Sequence, residues 1–224
     1  MGPLASSNLY YNLIELAQNK FNADQDHDFP AIFIYSLPLE GFDETGFVNS
    51  ESVKKQLISG VKKLEKSGSE FIIIACNTVH YFYKDMQEAI NIPILSIVTE
   101  STKLVREAGY NKIGLLSSQS TKELKIYPKE LRKFKIETIT TNDFQQGLIN
   151  DVILKIMSGK YGKTEKEVLK DIIENLVAKG AQAILLGCTE LPLVINQKDI
   201  NNIEIFDSTK IITESALFRS LGAK

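Results

Sequence analysis

Two cysteines stand at matched places in this chain. Cys76 closes Phe71-Ile-Ile-Ile-Ala-Cys76 and leads into Asn77-Thr-Val-His80, while Cys188 closes Ala183-Ile-Leu-Leu-Gly-Cys188 and leads into Thr189-Glu-Leu-Pro192. Each follows an apolar run of the length of one fully buried strand. Each stands where that strand would hand over to a helix, and open α/β sheets bind ligands outside the C-terminal ends of their strands. A thiolate can take a proton from carbon, and a thiol opposite can return one. With a substrate carbon held between the two, removal on one face and delivery on the other inverts its configuration. A free cysteine titrates near ~8.5, and a helix N-terminus lowers that value, so thiols at helix starts suit a thiolate and thiol pair. The amides of Asn77, Thr78, Thr189 and Glu190, at the same helix starts, can cradle a carboxylate. The hydroxyls of Thr78, Thr189 and Ser118 can add hydrogen bonds.

The elements that must position these thiols are copies of each other. Gly68 and Gly180 each lie eight residues before their cysteine, and Leu64 and Leu176 each lie twelve before. Downstream, Asn91-Ile-Pro-Ile94 answers Asn202-Ile-Glu-Ile205, and the cysteines are 112 positions apart, half of the 224-residue chain. Internal duplication is the economical reading. The coarse pattern alternates helix and strand. Helices are expected over 4–21, from Ser50 or Ser52 as cap to 67, and over 78–90, 99–108, 144–157 and 164–179, with another through Leu124 and Leu131 and a last one ending at Leu221. Strands are expected at 30–35, 71–75, 93–97, 112–116, 134–139, 184–186 and 203–206, and 36–49 reads as a long irregular loop. Such alternation means α/β architecture with parallel sheets covered on both faces. The expected organisation is two similar Rossmann-like halves related by a pseudo-twofold, 1–97 (with a contribution from 207–224) and 98–206, with the active site in the cleft between them. In the second half, strand 112–116 runs into Ser117-Ser118-Gln119-Ser120-Thr121. The first-half counterpart would be a strand running into Met1-Gly-Pro-Leu-Ala-Ser-Ser7. The chain opens at the turn itself: either the sequence starts at an internal or misassigned position, or the first sheet lacks that strand and exposes pairing edges.

Composition narrows the function classes. Apolar residues make up 43% and charged residues 24%, as in an ordinary globular protein. A net charge of −2 argues against nucleic-acid binding, which calls for a basic stripe. No apolar run approaches the roughly 20 residues of a membrane span, and no signal peptide is visible. Two cysteines point to free thiols in a reducing cytoplasm rather than a disulfide framework. Singly, each would read as a small core residue; their matched strand-end positions favour chemistry. His80 follows Cys76 by four, a pair that alone is no zinc site, since zinc needs at least three protein ligands. His80 therefore reads as structural, and His27 as solvent-facing. Lys54-Lys55 and Lys62-Lys63 read as an exposed helix face.

Met1-Gly-Pro-Leu-Ala-Ser6, Cys76-Asn-Thr-Val-His80 and Gly187-Cys-Thr-Glu-Leu-Pro192 together resemble the aspartate/glutamate racemase superfamily, closest to its aspartate racemase branch. The resemblance implies an isomerase that needs neither pyridoxal phosphate nor another cofactor or metal. It also implies a small-molecule amino acid as substrate, aspartate first, and a homodimer. It carries the catalytic pair onto Cys76 and Cys188 and substrate-flanking positions onto Met1, Asn77, Thr78, Ser118, Thr189 and Glu190. Glutamate racemases resemble Gly-Cys-Thr-His at the second motif and open with an Asp-Ser-Gly turn; Glu190 and the Met1–Ser6 phrase depart from both. Aspartate racemases commonly carry an arginine after the second strand, whereas residues 35–49 hold no Arg or Lys. By family position Lys160 and Lys163, in Ser158-Gly-Lys-Tyr-Gly-Lys163, are then the candidates for a side-chain carboxylate. A two-lobed amino-acid-binding protein without turnover is the alternative from another class. A related cysteine enzyme acting on maleate, a hydantoin or many amino acids is a third. Exchange of solvent deuterium into the substrate separates enzyme from binding module.

Overall fold

Pro3 starts the first helix, where the missing N–H of proline costs no hydrogen bond. This helix, α1 (Pro3–Phe21), buries Leu9, Leu13, Leu16 and Ala17 along one face. The structure, a computed structural model, describes residues 2–43 and 46–222. After α1 the chain runs through 30–35 without regular secondary structure and forms a short antiparallel hairpin, β1 (Phe42–Asp43) with β2 (Gly46–Phe47). Next comes α2 (Ser50–Lys66). Its cap is Asn49, not Ser50 or Ser52: the Asn49 side chain accepts the Ser52 N–H at 3.0 Å. Strand β3 (Ile72–Ile73), the Cys76 turn, a 3-10 helix (Thr78–Phe82), α3 (Tyr83–Glu88), β4 (Ile94–Leu95) and α4 (Ile97–Glu107) follow. The second half runs β5 (Lys112–Ser117), α5 (Gln119–Glu123), α6 (Ile126–Arg132), β6 (Glu137–Thr140), α7 (Asp143–Met157), α8 (Lys163–Ala178) and β7 (Ala183–Gly187). After the Cys188 turn and a 3-10 helix (Leu191–Leu193) come β8 (Glu204–Asp207) and α9 (Ser208–Leu221).

The larger sheet has the order β6-β5-β7-β8, all parallel, with Gly114 opposite Ile184 and Leu185 opposite Phe206. The smaller pairs β3 with β4, also parallel, Ile72 opposite Ile94. The fold is thus α/β with parallel sheets. Side chains of β5 and β7 alternate between two helical layers, which is why both strands read as unbroken apolar runs. Ile113, Leu115 and Leu185 enter a core with α1, α4, α6 and α9; Leu116, Ile184 and Leu186 enter one with α7 and α8. A third core joins α2, β3, β4 and Met86. The first core draws on both halves of the chain, with Leu13 of α1 and Ile212 of α9 in the same cluster as Ile113 and Leu185. Each large aliphatic side chain fully buried there contributes about 2 kcal/mol.

Residues 30–35 differ from expectation. They form no strand, because they pair with no described strand. Ile and Phe favour a pleated environment, but a strand exists only where a neighbour pairs its N–H and C=O groups.

Candidate active site

Strand β3 ends two residues before Ala75, and the chain turns through Cys76 and Asn77 into the 3-10 helix. His80 fixes this turn. Its Nδ1 lies 2.8 Å from the Cys76 carbonyl, and the Ile97 amide points at its Nε2 at 3.3 Å. An amide can only donate, so Nε2 accepts and Nδ1 carries the proton that is donated to Cys76. Burial pulls the His80 pKa down from 6.5 to about 4, so the ring is neutral at ordinary pH. The histidine therefore clamps the thiol turn to the start of α4.

Asn77 and Thr78 tie that turn to the second half. The Asn77 side-chain amide donates to Ser208 Oγ at 3.3 Å and its carbonyl accepts from the Tyr127 hydroxyl at 2.5 Å. Ser208 in turn donates to the Leu186 carbonyl at 2.7 Å. Burial holds the Tyr127 phenol far above its usual range, so it stays a donor. Thr78, Ser118 and Thr121 form a buried triangle of hydroxyls with sides of 3.2, 2.8 and 3.2 Å. Ser118 also caps α5, its Oγ accepting the Thr121 N–H.

The second thiol turn follows β7. Gly187 precedes it, and a Cβ there would press on Leu115 and the Tyr127 ring at 2.9 Å, so only glycine lets the strand end this close to Tyr127. Cys188 is buried, and its S–H donates to Glu190 Oε2 at 3.1 Å. The Thr189 hydroxyl stands 3.1 Å from the same carboxylate oxygen and 3.5 Å from the Ala75 carbonyl. The neighbour of one thiol thus touches the neighbour of the other. Glu190 is buried and has no ion-pair partner among the described residues. Its Oε1 lies so close to Gly2 that a Cβ at position 2 would collide with it, which places the start of α1 against the Cys188 turn. Neither cysteine forms a disulfide with a described residue.

One expectation changes. Cys188 precedes only a three-residue 3-10 helix, whereas Cys76 precedes a 3-10 turn, Thr78–Phe82, that runs directly into α3, Tyr83–Glu88. Few peptide dipoles are aligned after Cys188, so the helix macrodipole contributes little to that sulfur. Lys160 lies in the loop joining α7 to α8 and Lys163 begins α8; both are exposed and neither forms an ion pair with a described residue. Met1 lies outside the described residues. Sequence reasoning passed over Tyr127, Thr121 and Ser208. Thr121 sits in the polar run after β5, but Tyr127 and Ser208 carry no local signal.

Residues 1–216 match the Asp/Glu/Hydantoin racemase family. The broad specificity amino-acid racemase RacX of Bacillus subtilis is 30% identical over 217 residues, covering 97% of this chain and 93% of its own length. An aspartate racemase homologue from Pyrococcus horikoshii superposes with a TM-score of 0.81 at 29% identity, covering 97% of this chain and 94% of that one. The aspartate racemase of Picrophilus torridus superposes with a TM-score of 0.82 at 28% identity, covering 99% and 91%.

Proposed function

The chain belongs to the Asp/Glu/hydantoin racemase family and is a racemase, and we propose that it inverts the α-carbon of aspartate by proton transfer between Cys76 and Cys188. The observation that carries this reading is the meeting of the two thiol turns at Thr189 and Ala75. Cys76 acts first as thiolate. The Cα–H bond breaks, its proton goes to Cys76 Sγ, and the electron pair spreads into the substrate carboxylate. Cys188, whose S–H is held by Glu190, delivers its proton to the opposite face. The cycle ends with Cys76 a thiol and Cys188 a thiolate, poised for the reverse direction. The amides of Asn77, Thr78, Thr189 and Glu190 and the hydroxyls of Thr78 and Ser118 receive the α-carboxylate, which grows more negative as the proton leaves. Lys160, before Lys163, meets the side-chain carboxylate. The reaction runs on these side chains without a cofactor, in a cytoplasmic homodimer.

A second reading is broad specificity. It is favoured by the lack of any Arg or Lys in 35–49 and by the name of the Bacillus relative. The test is a panel of enantiopure amino acids in deuterium oxide. Loss of optical activity with deuterium at Cα is expected, fastest for aspartate, and a flat profile across side chains would favour the second reading. Cys76→Ala and Cys188→Ala should each cut turnover in both directions by at least roughly 1,000-fold without unfolding the protein. Near-parental turnover by either variant would refute the two-base assignment.

A further inference from the structure

Strand β5 runs on past its neighbour β6. The last pair between them is Leu115 with Thr140, whereas β5 pairs with β7 as far as Ser117, opposite Gly187. Beyond Thr140 a network of side chains holds the end of β5. Gln146, on α7, is 2% exposed, and its Nε2 donates to the Ser117 carbonyl at 2.9 Å and to Asn150 Oδ1 at 3.1 Å. Its Oε1 accepts the Thr141 hydroxyl at 2.7 Å. Asn150, one helical turn on, accepts the Gln119 N–H at 3.3 Å through the same Oδ1. Both N–H groups and the carbonyl of the Gln146 amide are thus used. Turning that amide over would set its oxygen against the Ser117 carbonyl and Asn150 Oδ1, two acceptors, so the network has one arrangement.

Ser118 lies between the two backbone groups that are held. The Ser117 carbonyl belongs to the peptide group before it and the Gln119 N–H to the one after it. Its own Oγ accepts the Thr121 N–H and stands 3.2 Å from Thr78 Oγ1, on the 3-10 helix of the first half. The other buried side chains of α7 are Ile149, Val152, Ile153 and Ile156. A glutamine among them must have its polar groups paired. Two of its three bonds lead to the peptide groups that flank Ser118.

On the reading above that Ser118 receives the α-carboxylate, we infer that Gln146 and Asn150 are positioning residues for the reaction. They lock both peptide groups of Ser118, so its hydroxyl meets the carboxylate at one place without further ordering when substrate arrives. Neither touches the reacting atoms, and each acts through Ser118. His80 stands in the same relation to Cys76, whose carbonyl it holds. Each half thus carries a buried side chain that fixes a residue of the site from behind.

The test is a double-mutant cycle on racemisation of the amino acid turned over fastest in the panel, in full chains whose folding is checked by circular dichroism. Gln146→Met keeps the length of the side chain and removes its polar groups. In the parent background it should lower kcat/KM by roughly 10–100-fold, the range of a misplaced hydrogen bond to a charged group, and chiefly in kcat, because that bond strengthens as the carboxylate gains charge. In a Ser118→Ala background, where no hydroxyl is left to position, the same change should cost less than about twofold. Amide exchange at Gln119 should quicken by roughly tenfold, a readout that does not depend on turnover. If Gln146→Met does not fold, Asn150→Leu breaks the clamp at Gln119 and is carried through the same cycle. Equal losses in both backgrounds would show a structural role alone and overturn the inference. So would an unchanged kcat/KM, or unchanged exchange at Gln119. Parental kinetics in Ser118→Ala would also overturn it, by removing the ligand that the clamp serves, while the two-thiol chemistry would still stand or fall on the cysteine variants.

Discussion

A carboxylate 3.1 Å from a thiol sulfur does two opposite things. It accepts the S–H bond, and it repels the thiolate that remains when the proton leaves. Glu190 therefore favours Cys188 as the proton donor and opposes it as the base. Glu190→Gln keeps the shape and an acceptor but removes the charge. The pH profile of kcat/KM for racemisation should move toward acid by about one unit, as expected when a close like charge is removed. An unmoved profile would mean that Glu190 acts by packing alone. His80 makes a different prediction at this scale. Its folded pKa, about 4, lies below the free value of 6.5 because burial disfavours the charged ring. Between those values the unfolded chain binds a proton that the folded chain does not. The stability tied to the neutral ring is thus whole above pH 6.5 and is lost as pH falls toward 4, by about 3 kcal/mol in all. Denaturant titrations at pH 7 and pH 4.5 should show a smaller acid loss in His80→Asn than in the parent. Equal losses would place the titration elsewhere.

Short elements carry the thiols and long ones hold them still. Each sulfur sits on a turn between a buried strand and a 3-10 helix, where the backbone leaves its ladder and side chains can face a ligand. The turns are fixed from outside. α4 is bound through His80, α6 through Tyr127 and α9 through Ser208. The loop between α7 and α8 is the contrast, since Lys160 there is exposed and has no ion pair among the described residues. A lysine free to meet an anionic side chain should govern substrate choice rather than folding. Lys160→Ala should raise KM for aspartate by roughly 10–100-fold, the range of a lost charge-assisted hydrogen bond, and leave alanine unaffected. Equal effects on both substrates would move the carboxylate partner elsewhere.

The two halves share more than a boundary. α9 packs on α1 and α4, and one apolar cluster takes side chains from α1, α4, α9, β5 and β7. That shared core cannot persist when either half opens. Calorimetry should therefore give one transition with equal calorimetric and van't Hoff enthalpies, and two resolved transitions would show independent halves. Much of this organisation was legible in the chain itself. The apolar runs before Cys76 and Cys188, the glycines eight residues upstream and the repeated downstream strand are local patterns, and local patterns set α/β alternation and the thiol turns. Folding decided what depends on neighbours. Residues 30–35 have strand composition but pair with no described strand, so they form no ladder. Cys188 stands before a three-residue 3-10 turn rather than at the start of a full helix. Asn77 meets Ser208 across 131 positions and Tyr127 across 50, and Thr78 meets Thr121 across 43. Residue types and spacing announce a thiol at a strand end; only the packing of distant elements brings together the hydroxyls, the phenol and the carboxylate that hold the two thiol turns against each other.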